Sequence, residues 1–288
     1  MIVISDDRCT GYHLHGHPER PQRVARTKKL LEEQTLMEIV WDAPAKVTLA
    51  QIRRAHSDAL LERLTQLLDF DQDTPAHPDI REHAERSVGA ALRALDLAAE
   101  RKHAFSLLRP PGHHATRDKA MGFCYLNSVA IAALEALARG VARIAVFDFD
   151  VHHGNGTEDI LAEESRAAFF SVHQFPAYPG SGAESRGNIH NYPVGPGSPR
   201  GYYQAQLEQA LEDIRLFKPA MVAVSAGFDA YSDDPLSDAP LETDDFFWLG
   251  KQIRELGVPS FSLLEGGYSH ELPHLIFAYL RGLEGLDA

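Results

Sequence analysis

Asp148-Phe-Asp-Val-His152 sets two carboxylates and an imidazole at alternating positions. In an extended strand the side chains at i, i+2 and i+4 share one face, so Asp148, Asp150 and His152 converge while Phe149 and Val151 turn away. Such groups are costly together unless a cation or hydrogen-bond partners compensate. A divalent ion that accepts both oxygen and imidazole nitrogen meets that need. A solvated strand edge is the alternative, because Asp-X-His triplets also arise by chance. Gly154-Asn-Gly156 follows and lets the backbone turn tightly, which favours a built site. Asp229 supplies a third ligand after the apolar run 221–225 and Gly227. Three protein ligands leave a coordination position for water, the pattern of a catalytic zinc centre. Asp233, Asp234 and Asp238 lie close by, and their spacing with Pro235 and Ser237 reads as a solvated loop.

His113 and His114 are adjacent, behind two prolines that stiffen the approach. Neighbouring imidazoles suit general acid–base work, since their ordinary pKa is about 6.5; further metal ligands or hydrogen-bonded loop histidines are the alternatives. Asp148 can orient one ring, as carboxylates commonly do for histidine, and Asn155 can accept from the other. Tyr268 follows Gly266-Gly267 and can donate its phenol to a developing oxyanion, or else pack locally. Phe123, after Gly122, is an aromatic wall or a core residue. His153 points off the ligand face and reads as packing, and the His13/His15/His17 cluster as a surface loop.

These residues need a frame. Short apolar runs at 1–4, 104–108, 144–149, 168–173, 221–225 and 260–264 alternate with helical spacing at 85–102, 126–139, 202–217 and 244–256. Glycine or proline closes three of the helical stretches (Gly140, Pro219, Gly257). Strand–helix alternation predicts a parallel sheet with right-handed crossovers and helices on both faces. Five strands run directly into segments rich in Gly, His, Asp or aromatic residues, which gathers those segments at the carboxyl edge where open α/β sheets bind ligands. No repeat, low-complexity tract or flexible linker divides residues 1–288, so one α/β domain is expected.

The 28 basic and 41 acidic residues give a net charge of −13, which disfavours nucleic acid and mildly favours cationic ligands. No apolar run approaches the ~20 residues of a membrane helix. Two cysteines are ordinary in a reducing compartment, and Cys124, amid apolar and aromatic neighbours, reads as a small buried hydrophobe. Met1 to Arg8 carries acids where a signal peptide starts basic, so the cytoplasm is the expected location.

Five motifs, in order, resemble the histone deacetylase family, including its bacterial class II-like amidohydrolases, acetylpolyamine amidohydrolases and acetoin-utilisation relatives. They are Arg109-Pro-Pro-Gly-His-His-Ala115, Gly122-Phe-Cys-Tyr-Leu-Asn127, Asp148-Phe-Asp-Val-His-His-Gly-Asn-Gly156, Ser225-Ala-Gly-Phe-Asp-Ala230 and Glu265-Gly-Gly-Tyr268. The similarity runs from His17-Pro-Glu-Arg-Pro21 almost to the C-terminus. It implies the arginase/deacetylase fold, a three-layer α/β/α domain around an eight-stranded parallel sheet. It implies Zn²⁺ or Fe²⁺ on Asp150, His152 and Asp229, and water activated by that metal attacking the amide carbonyl. His114 would be general base and then acid, His113 with Asp148 would act electrostatically, and Tyr268 would stabilise the oxyanion. The Gly122 carbonyl would accept the substrate N–H, and Phe123 would line an acyl-lysine tunnel. Arg23 matches the family arginine near the product-release channel, and Asp73 the rim residue that holds the substrate backbone. Family potassium sites would fall on Asp148, Asp150 and His152, largely through backbone oxygens, plus Ser171 and Val172.

Asn155 stands where class I members carry Asp, as in class II-like and bacterial members. Tyr178 is the best match for the second tunnel aromatic. Leu236 occupies the place where polyamine-selective members can carry a Glu, which weakens a polyamine preference and leaves acetylated lysine peptides and acetylated small amines as substrate classes. A binuclear ureohydrolase of the arginase type shares the fold, but Gly154 stands where it needs a further Asp. A non-catalytic acyl-lysine-binding module is the other reading, opposed by retention of every ligand, both histidines and Tyr268. Oligomeric state is open.

Overall fold

The apolar runs become strands buried on both faces, and the amphipathic stretches become the helices that cover them. The computed structural model describes residues 1–286. In chain order its elements are β1 (Ile2–Ile4), α1 (Gln22–Glu33), β2 (Val40–Asp42), α2 (Leu49–Ile52), α3 (Asp58–Arg63), α4 (Ile80–Ala99), β3 (Ala104–Ser106), α5 (Ser128–Ala138), β4 (Ile144–Asp148), α6 (Asn155–Leu161), β5 (Ala167–Gln174), β6 (Ile189–Val194), α7 (Arg200–Phe217), β7 (Met221–Ala226), α8 (Thr243–Glu255), β8 (Ser260–Leu264) and α9 (Leu272–Glu284). All eight strands pair in parallel, in the order β2-β1-β3-β8-β7-β4-β5-β6. Parallel strands covered on both faces read as continuous apolar runs, which is why β3, β4, β5, β7 and β8 are buried throughout. Helices α4 and α5 pack against the sheet and each other. Helices α1, α8 and α9 form another layer, where Tyr279 meets Phe105 and bonds to Ser262 Oγ at 2.8 Å.

The strand order builds the site. After β4, β5 and β6 run outward, β7 and β8 return to fill the gap between β4 and β3. The segments that follow β3, β4, β7 and β8 are thereby neighbours at one edge, and they carry His113 and His114, Asp150 and His152, Asp229, and Tyr268.

Two strands lie outside the expected set. β2 is three half-exposed or exposed residues with no apolar run, and β6 contains Pro193, which an edge strand tolerates. Helix α4 starts at Ile80, ahead of the expected 85, and α5 starts at Ser128 because Asn127 caps it: the Asn127 carboxamide oxygen accepts from Ala130 N at 2.9 Å. The Asn127 amide nitrogen also donates to Ala115 O and Thr157 Oγ1, each at 3.1 Å, so one buried side chain joins α5, α6 and the loop behind the histidine pair. Buried His56 braces the same loop, accepting from Asn127 N at Nε2 (2.8 Å) and donating from Nδ1 to Thr116 O (2.9 Å). This arrangement requires neutral imidazole, and burial lowers the His56 pKa to about 4.

Two outcomes are expected. Asn127→Ala leaves Ala130 N and Ala115 O unpaired and should cost about 2 kcal/mol of stability in urea unfolding. Unfolded His56 takes its proton near pH ~6.5 and folded His56 only near 4, so the unfolded chain binds more protons between the two. Stability should therefore fall on acidification through that window, with no His56 contribution above it. The urea midpoint of His56→Gln should show a shallower fall from pH 6.5 to 4.

Candidate active site

β4 ends at Asp148, so Asp150 and His152 sit in the turn after it and converge by that turn, not by the pleat expected for a continuing strand. Asp148, Asp150 and Asp229 are buried. His152 Nδ1 lies 3.2 Å from Asp150 Oδ1 and 3.0 Å from Asp229 Oδ2. Backbone amides hold the carboxylates: Gly266 N donates to Asp150 Oδ2 (2.7 Å) and Val151 N to Asp229 Oδ1 (2.9 Å). Gly227 and Gly266 permit the approach, because a Cβ at 227 would strike the Asp150 carboxylate and one at 266 would strike those of Asp229 and Asp150.

Zinc with bonds of about 2.0–2.2 Å spaces tetrahedral ligand atoms about 3.3–3.6 Å apart. The separations around His152 Nδ1 are close to that, and the three ligand atoms all lie within 4.8 Å of one another. A single N–H cannot fully serve two carboxylates, whereas a cation between the three groups would. The donor set therefore fits a divalent metal.

A second grouping, His113, Cys124 and Glu265, is also compact. Its donors are occupied. Glu265 Oε2 accepts from Gly112 N (2.6 Å) and His113 N (3.1 Å), and Oε1 from Ser225 Oγ (3.2 Å). Burial pushes the Cys124 thiol well up, so it stays protonated, and raises the Glu265 carboxyl to about 7.

The histidine pair is divided by its surroundings. His113 Nδ1 bonds to Asp148 Oδ2 at 3.0 Å. Burial opposes a charge on this ring, but the Asp150 and Asp148 carboxylates outweigh it and lift its pKa to about 10. His114 Nδ1 lies 2.8 Å from Asn155 Oδ1, an acceptor, so Nδ1 carries the hydrogen and Nε2 is left with a lone pair. Burial, then the charges of His113 and His152, hold His114 well below its ordinary pKa. The rings are 4.0 Å apart, and their surroundings pull their pKa values in opposite directions.

A cavity of about 400 Å³ opens onto these groups. His113, His114, His152, Gly122, Phe123, Tyr178, Leu236, Asp73 and Tyr268 line it, so the structure brings these residues together. Gly122 and Phe123 both have positive φ (57° and 68°), and a Cβ at 122 would meet the His114 ring. Tyr178 stands edge-on to His114 at 5.1 Å, and Phe123 edge-on to Tyr268 at 5.8 Å. Arg23 does not line this cavity. It packs over the Tyr268 ring at 4.7 Å, donates to Gly267 O (2.7 Å) and also bonds to Glu265 O. Ser171 is the register partner of Asp148 on β5, with Val172 next to it.

Three residues have more part in the site than the sequence suggests. Asp234 is buried, not solvated, and its Oδ2 accepts from Tyr268 N (2.6 Å) and Ser269 N (3.0 Å). His17 is not a free surface histidine: its ring lies edge-on to Phe123 at 4.6 Å and bridges Glu19 and the Asp73 carbonyl (3.1 Å). Glu265 ties β8 to the loop that bears the histidines.

The sequence profile of the histone deacetylase domain matches residues 17–281. The chain belongs to the histone deacetylase family. It is 37% identical to the histone deacetylase-like amidohydrolase of Pseudomonas aeruginosa, over 94% of this chain and 78% of that one. It is 36% identical to a probable deacetylase of Methanothermobacter thermautotrophicus, over 99% and 91%. Among solved structures, the acetylpolyamine aminohydrolase of Burkholderia pseudomallei superposes with a TM-score of 0.91 at 28% identity, covering all of both chains. The fold is thus the arginase/deacetylase fold, and the family is one of hydrolytic deacetylases. Among the described residues, no helix is long and apolar enough to cross a membrane.

The two compact groupings make different predictions for metal binding. Asp229→Asn should abolish stoichiometric zinc measured by mass spectrometry after dialysis, while Cys124→Ala should keep it. Retention in the first and loss in the second would move the metal to the other grouping.

Proposed function

We propose that this protein is a zinc-dependent deacylase that hydrolyses the amide of an acylated lysine or an acetylated small amine. The observation that carries the reading is a pair of adjacent histidines on the cavity, one bonded to Asp148 and the other to Asn155, beside His152 and the two carboxylates with which it could hold a metal ion. Asp150, His152 Nδ1 and Asp229 would hold the ion. When bound, zinc supplies a Lewis acid that polarises the amide carbonyl and lowers the pKa of water.

The chain's own groups supply the rest. His114 Nε2, with its lone pair facing the cavity, takes the proton from the attacking water and delivers it to the departing amine nitrogen. Asn155 keeps that tautomer in place. His113, held by Asp148, stabilises the negative charge that develops beside it. Burial keeps the Tyr268 phenol protonated well above its ordinary range, so it donates a hydrogen bond to the oxyanion. Gly122 offers its carbonyl to the substrate N–H, and Phe123 and Tyr178 flank the aliphatic stem. Leu236 adds no charge at the mouth, and Asp73 is placed at the rim for the substrate backbone. Arg23 positions Tyr268 from behind. The register pairing of Asp148, the last residue of β4, with Ser171 inside β5 supports a potassium ion on backbone oxygens of Asp148, Asp150 and His152 with Ser171 and Val172. Two buried free thiols agree with a cytoplasmic setting.

The test is hydrolysis of a fluorogenic acetyl-lysine amide. Failure with zinc, iron and cobalt each loaded would remove the deacylase reading. Tyr268→Phe should lower kcat by about 10²–10³, the effect of losing one oxyanion donor, with metal content intact. An unchanged kcat would remove Tyr268 from that role.

A further inference from the structure

The mouth of the cavity is electrically divided. A second cavity, of about 500 Å³, shares His17, Pro18 and Tyr268 with the first and is also lined by His13, His15 and Arg20. The half-buried Arg20 guanidinium makes no ion pair or side-chain hydrogen bond among the described residues. This is unusual company for a chain of net charge −13: residues 8–29 hold six Lys and Arg and a single acid, Glu19. Glu19 cannot neutralise Arg20, because it is buried between Arg109 (2.5 Å) and Arg23 (3.3 Å). The main cavity carries the opposite sign: Asp73 lines it and not the second cavity, Asp71 is two residues before it, and neither is in an ion pair among the described residues. Both carboxylates lie close enough to raise the pKa of the Tyr178 phenol, after burial as the larger cause. Unpaired charges at the lip of a low-dielectric cleft focus their field on whatever enters it.

We propose that this mouth is a charge-split binding surface for an acylated-lysine peptide. Arg20, with His13 and His15, takes the carboxylate of an acidic residue on one side of the lysine, and Asp71 and Asp73 face a basic residue on the other. A free acetylated polyamine, cationic along its length, would leave the Arg20 lobe unused. The inference rests on the deacylase reading and names its substrate class.

The experiment uses the zinc-loaded full chain and acetyl-lysine peptides that differ only in an Asp, Ala or Lys placed in turn on each side of the lysine. On one side Asp should exceed Lys in kcat/KM by about fivefold, the scale of one partly exposed ion pair, through KM and not kcat. Lys should exceed Asp on the other side, and 0.5 M salt should erode both preferences, about 0.5 M being enough to screen exposed charges. Arg20→Glu should invert the first preference only, and Asp71→Lys the second only. Each readout is a ratio within one preparation, so loss of folded or metal-loaded protein cancels. Equal kcat/KM for all flanks, an Asp/Lys ratio unmoved by Arg20→Glu, or an acetylated polyamine outpacing every peptide would overturn the proposal. If no peptide is hydrolysed, the deacylase reading fails, and fluorescence anisotropy of the same peptides still reads the flank preference by itself.

Discussion

Four carboxylates, Asp148, Asp150, Asp229 and Glu265, are buried at the ends of adjacent strands, and no Lys or Arg side chain bonds to any of them among the described residues. Removing so much negative charge from water is prohibitive unless something nearby answers it. Here the answer is divided. Backbone amides of residues 112, 113, 150, 151, 152 and 266 point at carboxylate oxygens, and two imidazoles lie against them. The amides are partial charges and the imidazoles are limited to one proton per bond, so a divalent cation would complete the balance. The opposite pulls on the two histidines follow from the same distribution, since His113 meets the Asp148 and Asp150 carboxylates while His114 meets the Asn155 carboxamide.

The topology turns this balance into a site. Because β7 and β8 return to the middle of the sheet, four loops from distant parts of the chain meet at one edge. Short-range devices then fix each loop: Asn127 and His56 behind the histidines, Asp234 and Arg23 around Tyr268, and His17 against Phe123. The Glu19–Arg109 pair anchors the N-terminal segment, with Arg109 also donating to the Cys9 and Tyr12 carbonyls at 2.9 Å. Polar groups buried this deeply hold position only when nearly every donor and acceptor is paired.

Much of this was legible in the chain. Runs such as 144–149 and 221–225 declare buried parallel strands by composition, and the polar segments after them point to one sheet edge. The trio Asp150, His152 and Asp229 was readable from residue type and strand-end position, although alternation was the wrong reason for the first two, because the strand stops at Asp148. β2 and β6 were hidden because edge strands need little apolar surface. Asp234 was hidden for a different reason. Beside Pro235 and Ser237 it has the local composition of a solvated turn, and its burial comes from amides more than 30 residues away. His17 likewise gains its place only through contacts with Asp73 and Phe123, which no local pattern encodes.

The Asp234 carboxylate has a consequence for how such a site can diverge. One oxygen is held by Leu236 N at 3.1 Å and the other by Tyr268 N and Ser269 N, so the loop that forms the cavity lip and the loop that presents the phenol are one mechanical unit. Selection acting on 233–238 to change what enters would also move the group that serves the reaction. Substrate range and turnover are therefore not independent traits on this side of the mouth. Among the described residues neither the Asp71 nor the Asp73 carboxylate bonds to the Tyr268 loop, and that side reaches the phenol only through the rings of His17 and Phe123.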